Sequence, residues 1–268
     1  MGRGHSAGRP LPWRDPDNAP VIAMKRRIAN LLTSPAVGAT VRAATKGLVR
    51  SHGLRIDTRS PEIADATRAA LLFRTYESAE LRLVRHLKLT RDVVDLGASL
   101  GVVSSAAARR MPAGGQITCV EANSGVLALA ESNVRANAPH VSVRPVHGAV
   151  EYGVDEGDPV SFDRGRLHVG SSKSDQPASN GFSAPALRLR SIAPQGPYTL
   201  IMDIEGAEAA VFHEDSATLE RCLQMLVELH ETTYRGSVMG PRELLNIAAD
   251  LGFREIASYG NSFILSRV

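Results

Sequence analysis

The sequence predicts an α/β fold: a mostly parallel sheet with helices on both faces, ending in an antiparallel hairpin and preceded by a helical extension. From residue 92 onward, short β-rich apolar runs alternate with segments of helical periodicity, the pattern of strand-helix-strand crossovers. Apolar runs end in the carboxylates Asp95, Glu121 and Asp203, each followed by a loop and a helix. The last two runs are separated only by Gly260-Asn261, too short for a helical crossover, so they pair antiparallel.

Residues 1–20 mix Gly, Pro, Arg and Asp with Trp13 as the one large aromatic, and read as a flexible arm. Residues 21–75 read as an N-terminal helical extension. Its apolar positions, from Val21 through Leu32 and again from Val37 to Leu48, recur at helical spacing broken at Ser34-Pro35. A third helix is expected over Pro61 to Leu87, with a break near Tyr76. These helices would cover a substrate or form the contact of a homodimer. The strands expected next are Asp92–Leu96, Gln116–Glu121, Val141–Val146, Tyr198–Asp203, Leu223–Leu229, Arg254–Tyr259 and Ser262–Arg267. The helices between them are Val102–Met111, Gly125–Ala136, Ala207–Arg221 and Gly240–Leu251. Residues 152–197, rich in Gly, Ser, Asp and Pro, read as an insertion or a mobile flap.

The 268 residues, 43% hydrophobic and 22% charged, suit one main globular domain. No apolar run is long enough to span a bilayer and no signal pattern opens the chain, so a cytoplasmic protein is expected. Cys119 and Cys222 stand alone in apolar surroundings and read as reduced core residues. A net charge of +3 with 4% aromatics argues against a nucleic-acid partner, which calls for a basic stripe with stacking aromatics.

The run Val93-Val94-Asp95-Leu96-Gly97-Ala98-Ser99-Leu100-Gly101 takes a strand into a turn and a helix, building a crevice at the strand's carboxyl end. Gly97 and Gly101 let backbone approach a ligand, and the helix start offers free N–H groups to a carboxylate. A dinucleotide fingerprint would place glycines at 97, 99 and 102, but Ser99 and Val102 occupy two of those positions. Glu121 ends the next strand, where a carboxylate can accept both ribose hydroxyls of a nucleoside, and Ala122, Asn123 and Ala149 lie on the adenine side. Asp203 ends a further strand at the reacting end of the crevice, followed by Ile204-Glu205-Gly206-Ala207-Glu208. Strand alternation puts Glu228 and His230 on one side of theirs.

Taken together, Tyr76-Glu77, the Asp95–Gly101 loop, Val120-Glu121-Ala122-Asn123, Asn133–Asn137, Asp203–Glu208 and Val227-Glu228-Leu229-His230 resemble the FkbM family of methyltransferases over residues 76–267. The family's usual Asn and Pro are replaced by Ser99 and Ala122. The resemblance implies a Rossmann-like class I methyltransferase fold of seven strands, with residues 76–268 as the catalytic domain. It implies S-adenosylmethionine as cofactor, held by Glu77, Asp95, Gly97, Ala98, Ser99, Gly101, Glu121, Ala122, Asn123, Ala149 and Asp203. O-methylation of a small-molecule or glycan hydroxyl follows. His230 or Glu205 would take the acceptor proton while Asp203 orients the cofactor's amino group or the acceptor.

Asp203, Glu228 and His230 are also of the type to hold Mg²⁺ or Mn²⁺, although their spacing does not show that they converge, and hydrogen bonding to the cofactor is favoured over a metal. Two other readings stand beside the enzyme: a silent cofactor-binding partner protein, and an RNA or protein methyltransferase.

Overall fold

The computed structural model describes residues 32–163, 172–173 and 181–268. The expected arm, the first helix from Val21 and its basic residues Lys25, Arg26 and Arg27 lie outside these.

α1 (Pro35–Thr45), with proline in its first turn, leads into a hairpin of β1 (Leu48–Ser51) and β2 (Leu54–Asp57), then α2 (Asp65–Leu72) and α3 (Ser78–Leu83). The hairpin corrects the expectation of a purely helical extension. α1 ends where Lys46 and Gly47 turn left-handed (φ 50° and 75°), and His52 and Gly53 (48° and 79°) make the tight turn that pairs Val49 with Ile56. The expected third helix breaks, as anticipated, close to Tyr76: Arg74 and Glu77 are both left-handed between α2 and α3.

The main domain continues with β3 (Asp92–Leu96), α4 (Val102–Ala108), β4 (Gln116–Glu121), α5 (Ser124–Asn137) and β5 (Ser142–His147). Next come β6 (Ala149–Val150), β7 (Pro159–Asp163), β8 (Ser172–Lys173), β9 (Phe182–Leu187) and the short α6 (Leu189–Ile192). These four strands form a side sheet in the order β6-β9-β7-β8, so the stretch expected as an insertion or a mobile flap supplies three strands of a sheet.

The chain then returns through β10 (Tyr198–Met202), α7 (Glu208–Glu214), α8 (Ser216–Leu219) and β11 (Cys222–Glu228). The hairpin β12 (Thr232–Tyr234) and β13 (Ser237–Met239) precedes α9 (Pro241–Asp250), β14 (Phe253–Tyr259) and β15 (Ser262–Arg267). The helix expected over Ala207 to Arg221 is split at Asp215, whose buried carboxylate accepts from Tyr152 and Arg190.

Seven strands form the main sheet in the order β14-β15-β11-β10-β3-β4-β5. The neighbours from β11 to β5 run parallel, and β15 opposes both β11 and β14, as the short Gly260-Asn261 link requires. Strand alternation divides the core. Val94, Leu96, Leu200, Met202 and Val227 pack on one face with Phe212 and Leu244, while Val93, Ile117, Ile201 and Leu226 pack on the other with Ala107 and Ala130. Cys119 and Cys222 are free and buried in this core.

From β3 the chain steps outward to β4 and β5, then returns to β10 and β11 on the other side of β3. Order reverses between β3 and β10, so the carboxyl ends of these two strands flank the natural crevice of an open α/β sheet.

Candidate functional site

One half of the crevice is the loop after β3. The N–H groups of Gly97 and Ala98 donate to the Val120 carbonyl at 3.0 and 2.9 Å, laying the loop over the end of β4. Gly97 has φ 85°, and a Cβ there would sit 1.9 Å from the Asp203 carbonyl oxygen, so only glycine fits. A Cβ at Gly101 (φ 70°) would sit 2.9 Å from the Cα of Ala130, so glycine lets α4 start close against α5.

Glu121 is fixed between two backbone donors: the Ser99 N–H to Oε2 at 3.0 Å and the Asn123 N–H to Oε1 at 2.8 Å. Burial raises its pKa, and the backbone hydrogen bonds pull against that rise. Asn123 also caps α5, accepting from Gly125 and Val126. The Ser99 hydroxyl meets the Tyr76 phenol at 2.7 Å. Ala149 is in β6, buried in the side-sheet core with Ala122 packed against it. Asp95, also expected at the cofactor, lines the cavity beside Gly97 and accepts from the Ser104 hydroxyl of α4; burial pushes its carboxyl up to about 7.

The other half is acidic. A cavity of about 20 Å³, room for one or two waters, is lined by Glu77, Glu80, Asp95, Gly97, Asp203 and Glu228 among others. Buried oxygens without a hydrogen-bond partner belong to Glu77 (Oε2), Asp203 (Oδ1) and Glu208 (Oε2). Burial, then repulsion among these acids, pushes Glu77 well above the usual carboxylate range, Asp203 up to about 7 and Glu228 up to about 8. Among the described residues no lysine or arginine pairs with Asp203, Glu205, Glu208 or Glu228; their one basic neighbour is His230.

His230 is held by its far side. Its Nδ1 lies 2.9 Å from Oε1 of Glu208, a carboxylate 0% exposed in the first turn of α7. Nε2 therefore faces the acids: 3.6 Å from Glu205 Oε2, 3.9 Å from Asp203 Oδ1 and 4.0 Å from Glu228 Oε1. The Glu208 hydrogen bond outweighs desolvation and lifts the imidazole to about 9, so at neutral pH it is charged. Glu205 stands at the mouth with its side chain 61% exposed.

Three non-glycine residues of the crevice have left-handed backbone, Glu77 (46°), Ser99 (47°) and Glu205 (52°), a strain that collects at functional sites. The structure brings Glu77, Asp95, Gly97, Ala98, Asp203 and Glu228 to one cavity, with His230 beside Asp203 and Glu205. It ties Ser99 and Asn123 to Glu121, whereas Gly101 packs against α5 and Ala149 lies in the side-sheet core. Sequence reasoning gave no role to Ser104, Glu80 or Glu208. Glu80 has the one available signal, an acid three residues after Glu77 on a buried helix face.

Residues 76–158 match the family model of the methyltransferase small domain. No curated protein matches the chain. Among solved structures, it is similar to the ribosomal protein L11 methylase of Lactobacillus delbrueckii subsp. bulgaricus, at 12% identity over 70% of this chain and 76% of that one, with a TM-score of 0.39. Aeropyrum pernix fibrillarin with bound S-adenosyl-L-methionine is 14% identical over 69% of this chain and 71% of its own, TM-score 0.39. Human N-acetylserotonin methyltransferase in complex with the same cofactor is 14% identical over 76% and 55%, TM-score 0.39. A methyltransferase match lying across the first strands of a seven-stranded sheet with a single opposed strand makes the fold the Rossmann-like one of class I S-adenosylmethionine-dependent methyltransferases.

Proposed function

We propose that the protein is an O-methyltransferase of the FkbM type that moves a methyl group from S-adenosylmethionine to a hydroxyl of a sugar or secondary metabolite. Glu121 carries the reading. Two backbone N–H groups hold its carboxylate at a strand end beside the Gly97–Gly101 loop, and the lone pairs left over suit a pair of ribose hydroxyls. Glu77, which lines the cavity beside Gly97 and has a buried oxygen without a partner, suits the amino group at the cofactor's methionine end. When bound, the cofactor supplies a methyl group on a positively charged sulfur.

The chain's own work is positioning and proton removal. An acceptor oxygen has to be held about 3 Å from the methyl carbon and in line with its bond to sulfur, and alignment of this kind supplies much of an enzyme's acceleration. Asp203 orients the acceptor from the end of β10. Glu205, exposed at the mouth of the crevice, takes the hydroxyl proton. His230, already protonated at neutral pH, does not start as the base.

Calorimetric titration with S-adenosylmethionine, followed by transfer of labelled methyl to a panel of sugars and hydroxylated metabolites, tests this. Binding that disappears in Glu121→Ala, and transfer to oxygen, are expected. Binding with no transfer to any hydroxyl would point to a silent partner protein instead.

A further inference from the structure

We propose that Asp203, Glu228 and His230 bind one divalent cation of the Mg²⁺ or Mn²⁺ class between the carboxyl ends of β10 and β11. One ligand atom from each lies within 4.8 Å of the others. Octahedral ligands on a cation with bonds of about 2.1 Å sit about 3.0 Å apart when adjacent and about 4.2 Å apart when opposite. The separations of 3.9 and 4.0 Å from His230 Nε2 to Asp203 and Glu228 therefore need only small side-chain rotations to close on an ion.

Two further observations point to a ligand here. Asp203 Oδ1, the atom facing His230, is buried with no hydrogen-bond partner. Glu208, fully buried and outside the trio, grips Nδ1 of His230, the outer-shell arrangement that turns an imidazole's other nitrogen toward a metal. Charge agrees with this. Glu205 and Glu208 add to the two carboxylate ligands, and no lysine or arginine among the described residues pairs with any of the four. Two oxygen donors and one imidazole suit a hard or borderline cation, which binds in exchange for the Nε2 proton that His230 carries without it.

The cation's role rests on the methyl-transfer reading. Beside the acceptor it lowers the pKa of the hydroxyl, which eases transfer of its proton to the neighbouring Glu205. The hydroxyl proton passes to Glu205, the oxygen bonds to the methyl carbon, and sulfur leaves with the electron pair of the broken bond.

Mn²⁺ is the probe. Loss of the free-ion electron-paramagnetic-resonance signal on adding the full chain counts bound ions, and pulsed measurements detect coupling to an imidazole nitrogen. One Mn²⁺ per chain with nitrogen coupling is expected. Glu228→Gln should weaken binding at least about tenfold, and Glu208→Gln about 10–100-fold by releasing His230. An unchanged free-ion signal, or bound Mn²⁺ without nitrogen coupling, overturns the site. Where a variant does not fold, stoichiometry and nitrogen coupling in the unaltered chain decide.

Calorimetry with S-adenosylmethionine on the same samples separates the two readings. Mn²⁺ binding without cofactor binding would sink methyl transfer and leave the cation site. Cofactor binding without Mn²⁺ would do the reverse.

Discussion

The two halves of the crevice treat carboxylates in opposite ways. On the β3–β4 side, Asp95 is capped by a serine hydroxyl and Glu121 by two backbone N–H groups, so each is satisfied before any ligand arrives. On the β10–β11 side, Asp203 and Glu208 keep buried oxygens without partners, and one histidine serves the whole group. The first half is preorganised to receive hydrogen-bond donors. The second gathers acids around a single histidine, their one basic neighbour among the described residues.

The sharpest way to break this contrast is at Glu205. Glu205→Gln should lower the rate of methyl transfer by about 10²–10⁴-fold while leaving cofactor affinity intact, as read by single-turnover kinetics and calorimetry. An unchanged rate would move the base elsewhere. On the opposite half, Glu121→Ala should weaken S-adenosylmethionine about 10²-fold through loss of charged hydrogen bonds, and should leave Mn²⁺ binding untouched. Equal damage to both ligands would mean that the halves are not separate in function.

Gly97→Ala forces a Cβ into the Asp203 carbonyl and should cost about 1–3 kcal/mol in a denaturant titration, more than alanine at an exposed glycine such as Gly157. The smallest effect concerns pH. Burial raises the folded-state pKa of Asp95 from 3.8 to about 7, so the folded chain binds the extra proton between those values. The stability this group contributes is complete below about pH 4 and is lost as pH rises through 7. Melting of Asp95→Asn should therefore decline less between pH 4 and 8 than melting of the unaltered chain. Parallel decline in the two would assign the slope to the acids of the other half.

What could be read in the sequence follows the same division. The central strands β3, β4, β10 and β11 are buried along most of their length and stand out as continuous apolar runs; Asp92–Leu96, Gln116–Glu121 and Ser262–Arg267 fall where expected to the residue. The β1–β2 hairpin did not stand out, because strands of four residues carry too little alternation to compete with the helical period running into them, although Lys46-Gly47 and His52-Gly53 were there as stop signals. Glu121 was legible because its role depends on its own strand end. Glu208 and Glu80 were not, because their partners are remote in the chain: Glu80 meets Ser262, 182 positions away, and Glu208 meets His230 across two elements. Sequence could name Asp203, Glu228 and His230 as suitable ligands, but convergence is a property of neighbouring strand ends.

The close approach at Gly97 reaches beyond stability. The loop that would take the cofactor and the loop that starts at Asp203 touch backbone to backbone, with no side chain between them to absorb a displacement. If a ligand settling against Gly97 displaces Asp203, thermodynamic reciprocity requires that whatever Asp203 holds change the affinity at Gly97 by the same factor.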